Sequence, residues 1–172
     1  LLRWNVYVSP EQLRDRDFPQ HVIEALAESG LRPERLEIEV TESIFVRDAA
    51  VARNALEQAM ALGCSIALDD FGTGYSSLGY LRKLRFSTIK VDRTFVQGAS
   101  QGSNESLAII NAVVAMAKSL EMTTTAEGVE SAEEAELIRN LGCDKIQGFY
   151  FGRPMSNEEA LRLFKTEQMR RA

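Results

Sequence analysis

Short apolar runs in which every second position is small or polar recur along this chain, each followed by a stretch with helical spacing. The runs Val6–Ser9, Arg35–Val40, Cys64–Asp69, Ser87–Asp92, Met122–Glu127 and Lys145–Phe149 read as strands. Helices are expected at about 10–29, 47–62, 76–84, 104–120, 132–141 and 157–165. Ser131 with Glu134, and Ser156 with Glu159, have the spacing of capping boxes at the starts of the last two. Gly30, Gly63 and Gly142 stand where a left-handed residue would end a helix. Strand and helix alternating in this way predict a parallel sheet.

Parity within the strands separates two architectures. Successive strand residues point to opposite faces, so Ile66 and Leu68 oppose Ser65, Ala67 and Asp69. In the same way Ile38 and Val40 oppose Glu37 and Glu39, Ile89 and Val91 oppose Thr88, Lys90 and Asp92, and Ile146 opposes Gln147. A doubly wound sheet, covered by helices on both sides, would read apolar on both faces. One greasy and one small or polar face per strand instead predicts an α/β fold of TIM-like (β/α)8 type, here with about six βα units in a single domain over residues 1–172.

In such barrels the chemistry sits at the carboxyl ends of the strands. Glu39, Asp69, Lys90, Glu127 and Gln147 all fall there on the inward face, a convergence that solvated surface charges would not keep. Asp69 and Asp70 are adjacent carboxylates, which repel unless a cation or a shared proton neutralises them. Gly72 and Gly74 then let the backbone turn beside whatever binds. The pattern points to a metal site.

Composition narrows the chemistry. The 172 residues are 45% hydrophobic and 26% charged, in keeping with one globular domain. A net charge of −5 argues against binding duplex nucleic acid, although metal ions can reverse the local charge for an anionic substrate. His21 is the single histidine and reads as structural, beside Phe18 and Val22, which removes serine triads and cysteine–histidine pairs. Cys64 and Cys143 read as reduced thiols of a cytoplasmic fold. The most apolar stretch, Leu107 to Ala117, is too short to span a membrane, and no signal peptide opens the chain. Phe149, Tyr150 and Phe151 are expected in the core rather than as a base-stacking platform.

The segments LEIEVTES (36–43), ALDDFGTGYSSLGYL (67–81), IKVDRTFV (89–96), AEGVES (126–131) and KIQGFYFGRPM (145–155), in this order, resemble the EAL domain, a family that hydrolyses cyclic di-GMP to its linear dinucleotide. The resemblance implies two Mg2+ or Mn2+ ions. Glu39 and Asp69 would hold one, and Asp69 would bridge to a second held with Asp70 and Glu127. It implies that Lys90 positions the attacking water, that Glu127 is the general base, and that Glu42 and Glu130 fix the loop after Asp70. Gln147, Asp92 and Arg153 would contact substrate. As partners it implies cyclic di-GMP, a second copy in a homodimer, and adjoining sensory or GGDEF domains in a parent protein that can itself be membrane-anchored.

Two departures from the family pattern bear on activity. Leu1-Leu2-Arg3-Trp4-Asn5 resembles the end of the family's signature segment without its Glu-Ala, and that glutamate is a metal ligand. Val6-Tyr7-Val8-Ser9-Pro10 follows at once, so several dozen residues, including the region of the first strand, are expected to be missing between Asn5 and Val6. Tyr7 then stands where the family has a metal-binding asparagine. With two ligands gone, the first metal site is expected to be weakened, because loss of even outer partners costs affinity.

Overall fold

The structure, a computed structural model, describes residues 3–45, 49–72, 81 and 84–163. Among the described residues there are six strands: β1 (Trp4–Tyr7), β2 (Leu36–Thr41), β3 (Ser65–Phe71), β4 (Thr88–Val91), β5 (Thr123–Ala126) and β6 (Lys145–Ile146). They pair in chain order, every pair parallel, as a curled half-barrel. Among the described residues β1 pairs only with β2 and β6 only with β5, so the sheet has two edges.

The helices α1 (Pro10–Arg14), α2 (Phe18–Ser29), α3 (Ala49–Ala61), α4 (Arg93–Ser100), α5 (Asn104–Ser119) and α6 (Ala132–Asn140) cover one face, and a helical stretch occupies 157–163. Ile38, Val40, Ile66, Leu68, Ile89 and Val91 turn outward and are buried in one core with Leu13, Leu56, Val96, Ile110 and Ile138. The opposite face carries the buried polar residues Glu37, Thr88, Lys90 and Thr125. The strand parity read from the sequence is thus the inside–outside division of the fold.

Several boundaries differ from the expectations. The helix expected over 10–29 is two helices, because Pro19 lies in the first turn of α2, where its ring and missing N–H suit a helix start but not continuation from α1. Ser9 and Gln12 form a reciprocal capping box at α1. Helix α4 was not anticipated. Its Gly98 lowers helix propensity, but a Cβ there would lie 2.2 Å from the Ser106 hydroxyl, so the glycine permits close packing on α5. The expected helix at 76–84 and the turn residues Thr73 and Gly74 lie outside the described residues, apart from Leu81 and Leu84, both buried. Gly30, Gly63 and Gly142 all have positive φ, as their helix-ending positions require.

Strand β1 runs without interruption through Asn5–Val6, and Val8 N–H continues its ladder to the Glu39 carbonyl. Trp4, Val6 and Tyr7 are about half exposed along this edge. At the other edge β6 ends after Ile146, short of the expected Phe149. Phe149, Tyr150 and Phe151 are 48–58% exposed, which corrects their assignment to the core: they follow β6, and among the described residues no strand pairs with its far edge to cover them.

Gly148 fixes how this end of the chain meets the segment after β5. A Cβ at Gly148 would lie 2.1–2.7 Å from backbone atoms of Val129, whereas one at Gly152 would meet only the Met155 side chain at 3.8 Å. Gly148→Ala should therefore lower stability by about 1–3 kcal/mol in urea titration, while Gly152→Ala should leave the midpoint nearly unchanged. Equal effects would show that the close approach is not a constraint.

Candidate active site

Lys90 organises the inner face. It lies on β4 with its side chain 5% exposed, and its ammonium meets carboxylates from three other strand ends. Nζ is 2.8 Å from Glu39 Oε2 on β2, 3.2 Å from Asp69 Oδ2 on β3 and 2.6 Å from Glu127 Oε1 just past β5. Parallel pairing places these residues near one level: Thr41 is in register with Asp69, and Lys90 with Thr125. Burial alone would lower the lysine's pKa. Hydrogen bonds to Glu127 and Glu39, with the charges of Glu127 and Asp69, outweigh it and hold Lys90 well above its ordinary value.

At Asp69–Asp70 the β3–β4 ladder shifts register between Leu68 and Phe71, and Asp70 takes φ 53°. Such bulges re-aim side chains beside functional sites, and aspartate tolerates the left-handed region better than most residues. The Asp70 N–H donates to Asp69 Oδ1 at 2.9 Å. Burial raises the Asp70 carboxyl above its ordinary value, with Asp69 and Asp92 adding and Lys90 opposing. Burial likewise raises Glu127, opposed by Lys90 and reinforced by Asp69 and Glu39.

The other expected site residues divide. Glu42 opens the short 3-10 turn after β2 and is buried, 9% exposed. Glu130 is exposed in the segment after β5, and its N–H donates to Glu134. Asp92 caps α4, accepting from Thr94 N–H at 2.9 Å, while its charge still reaches Asp70. Gln147 is exposed and lines a cleft of about 550 Å3 with Arg3, Asn5, Glu37, Thr125 and Lys145. Arg153 stacks its guanidinium 4.7 Å over the Phe149 ring. His21 is exposed on α2, 4.0 Å from Asp15.

Two residues were not singled out from the sequence. Glu37 is 2% exposed and accepts hydrogen bonds from Thr88 Oγ1 (2.7 Å), Ser87 Oγ (3.2 Å) and Asn5 Nδ2 (3.3 Å). Asn5 Nδ2 also donates to Glu39 Oε1 at 2.9 Å. The signal for Glu37 was its shared parity with Glu39. Asn5 had none, since its role depends on which strand β1 pairs with.

Among the described residues no group of three Asp, Glu, His or Cys side chains already stands in metal-ligating geometry. The donor set nonetheless fits a hard divalent cation. Glu39, Asp69, Asp70 and Glu127 against Lys90 leave three negative charges when all are ionised (four minus one), all on oxygen. A cation, the Lys90 ammonium, already sits among three of these acids.

The family model described as the EAL domain matches residues 1–154. The chain belongs to the EAL domain family. It is 42% identical over 160 residues to the bifunctional diguanylate cyclase/cyclic di-GMP phosphodiesterase MucR of Pseudomonas aeruginosa, covering 92% of this chain and 23% of that protein. The solved MucR phosphodiesterase in complex with c-di-GMP superposes with a TM-score of 0.86 at 40% identity, over 92% of this chain and 64% of that one. A manganese and cyclic di-GMP complex of Klebsiella pneumoniae BlrP1 superposes with a TM-score of 0.80 at 33% identity, over 88% and 39%. The chain spans about a fifth of the length of several curated relatives that it matches. Among the described residues no helix is long and apolar enough to cross a membrane.

Removing the buried ammonium should leave its carboxylates uncompensated. Lys90→Met is expected to cost about 3–5 kcal/mol at neutral pH. The loss should shrink as pH falls toward 4. Burial raises Glu127 and Lys90 opposes that, so without the cation Glu127 rises further above its unfolded value, and the folded form binds more protons and regains stability in acid. Urea titrations at pH 7 and pH 5 check this; an equal loss at both would contradict it.

Proposed function

We propose that this chain carries the active site of a cyclic di-GMP phosphodiesterase that opens the ring to linear pGpG. The observation that supports it most is the meeting of Glu39, Asp69 and Glu127 on Lys90, from four strands, in a chain of the EAL family. On this reading Glu39 and Asp69 hold one Mg2+ or Mn2+ and Asp69, Asp70 and Glu127 a second. Such a pair supplies polarisation of the phosphodiester, an activated water and stabilisation of the leaving oxygen.

The chain's own groups do the rest. Lys90 stays protonated throughout the physiological range, so it orients water by donation and offsets charge on the phosphoryl oxygens. Glu127, raised by burial, has the affinity for a proton that a general base needs. Glu42 and Glu130 steady the backbone that follows Asp70. Gln147, Asp92 and Arg153 contact the substrate, Arg153 from its perch on Phe149. Water adds to phosphorus, the bond to the ribose 3′ oxygen breaks, and the proton taken from water is returned to that oxygen. A homodimer, adjoining sensory or GGDEF domains and a cytoplasmic setting belong to the same reading.

A regulatory module that binds the dinucleotide or a protein without cleaving it is the second reading. It is favoured by the register of Tyr7, not an amide, opposite Glu39 on β1.

Incubation with cyclic di-GMP and Mn2+, followed by chromatography, separates the two. Linear product is expected, with Asp69→Ala falling below about one hundredth of the wild-type rate. Tight binding with no product would transfer the chain to the second reading.

A further inference from the structure

Resting on the metal-site reading above, we propose that Asn5 is a positioning residue for Glu39, and that the buried Glu37 is the anchor that holds Asn5 in place.

The argument begins with hydrogen-bonding capacity. A carboxylate only accepts, whereas an amide nitrogen carries two N–H groups. Asn5 Nδ2 lies 2.9 Å from Glu39 Oε1 and 3.3 Å from Glu37 Oε2, so each N–H has a carboxylate and the amide orientation is determined. The amide oxygen is turned away from both acids. Glu39 Oε1 is thereby engaged, and the oxygen left toward the cluster is Oε2, the one that Lys90 holds at 2.8 Å. The Asn5 amide and the Lys90 ammonium, one on each oxygen, thus set the orientation of the Glu39 carboxylate.

Glu37 makes this stable. It is 2% exposed, and Thr88 Oγ1 and Ser87 Oγ pin its other oxygen at 2.7 and 3.2 Å. Its distance from the mouth rules out direct contact with an ion at the strand ends, since it pairs with Asn5 one full pleat repeat before Tyr7 and Glu39. The chain is therefore Glu37 to Asn5 to Glu39, running from the closed interior to the site. Tyr7, which shares the Asn5 face of β1, has no amide to offer. Asn5 itself is exposed, so its truncation removes hydrogen bonds and little packing.

The test is Mn2+ uptake by the whole chain, followed by electron paramagnetic resonance of the free ion, with thermal unfolding of the metal-free protein alongside. Asn5→Leu, which keeps the shape and removes both donors, should raise the Mn2+ Kd about 10- to 100-fold while the metal-free protein still unfolds cooperatively, at a Tm lowered by the donor that Glu37 Oε2 loses. Glu37→Gln sets a donor against the Asn5 amide and should also weaken uptake. If it acts through Asn5, the double variant should bind no more weakly than Asn5→Leu alone. Should Glu37→Gln fail to fold, Asn5→Leu decides. Wild-type affinity in Asn5→Leu, or additive losses in the double variant, would overturn this inference alone. A wild-type chain that takes up no Mn2+ would overturn the metal reading and this inference with it.

Discussion

One buried ammonium holds the inner face of this half-barrel together. Lys90 brings carboxylates from three other strand ends within 3.2 Å of one nitrogen and offsets part of their mutual repulsion. A buried ion pair contributes little net stability compared with an apolar replacement, but breaking it strands uncompensated charge. The cluster is therefore a constraint rather than a source of stability. It requires β2, β3, β4 and β5 to keep their register, and the apolar outer face under the helices supplies the free energy that keeps them there.

The same arrangement explains how acids are stored before a ligand arrives. Two of them, Asp70 and Glu127, are held above their ordinary pKa by burial, and the bulge at Asp69–Asp70 places a non-glycine residue in the left-handed region. Polar crowding and local backbone strain persist where surrounding structure over-determines them. Here the determinants are the ladder on both sides of the bulge and the Asp70 N–H bonded to its neighbour's carboxylate. Below this layer, Glu37 accepts from the neutral donors Asn5, Ser87 and Thr88, a gentler solution for a carboxylate away from the mouth.

Among the described residues the sheet is open on one side, between β1 and β6. Trp4, Val6 and Tyr7 at one edge and Phe149, Tyr150 and Phe151 at the other remain half exposed, and the cleft between them reaches the polar interior through Asn5, Glu37 and Gln147. An edge strand with apolar side chains invites pairing.

Much of this was legible in the residue order. Two-residue alternation separates Ile38, Ile66 and Ile89 from Glu39, Asp69 and Lys90 without any tertiary information, because pleating alone dictates which side chains share a face. The helix ends at Gly30, Gly63 and Gly142 were equally local, set by a backbone geometry that glycine adopts without strain. What remained hidden involved contacts between distant segments. Helix α4 was masked by Gly98, whose value lies in its approach to Ser106, and the aromatic run 149–151 was read as core because apolarity does not reveal that the sheet ends beside it. The sequence by itself determined the acids, the lysine and the face they share. Only the tertiary structure decided that β1 lies against β2, which puts Asn5 between Glu37 and Glu39, because the choice of strand partner depends on burial of the whole sheet rather than on any local pattern.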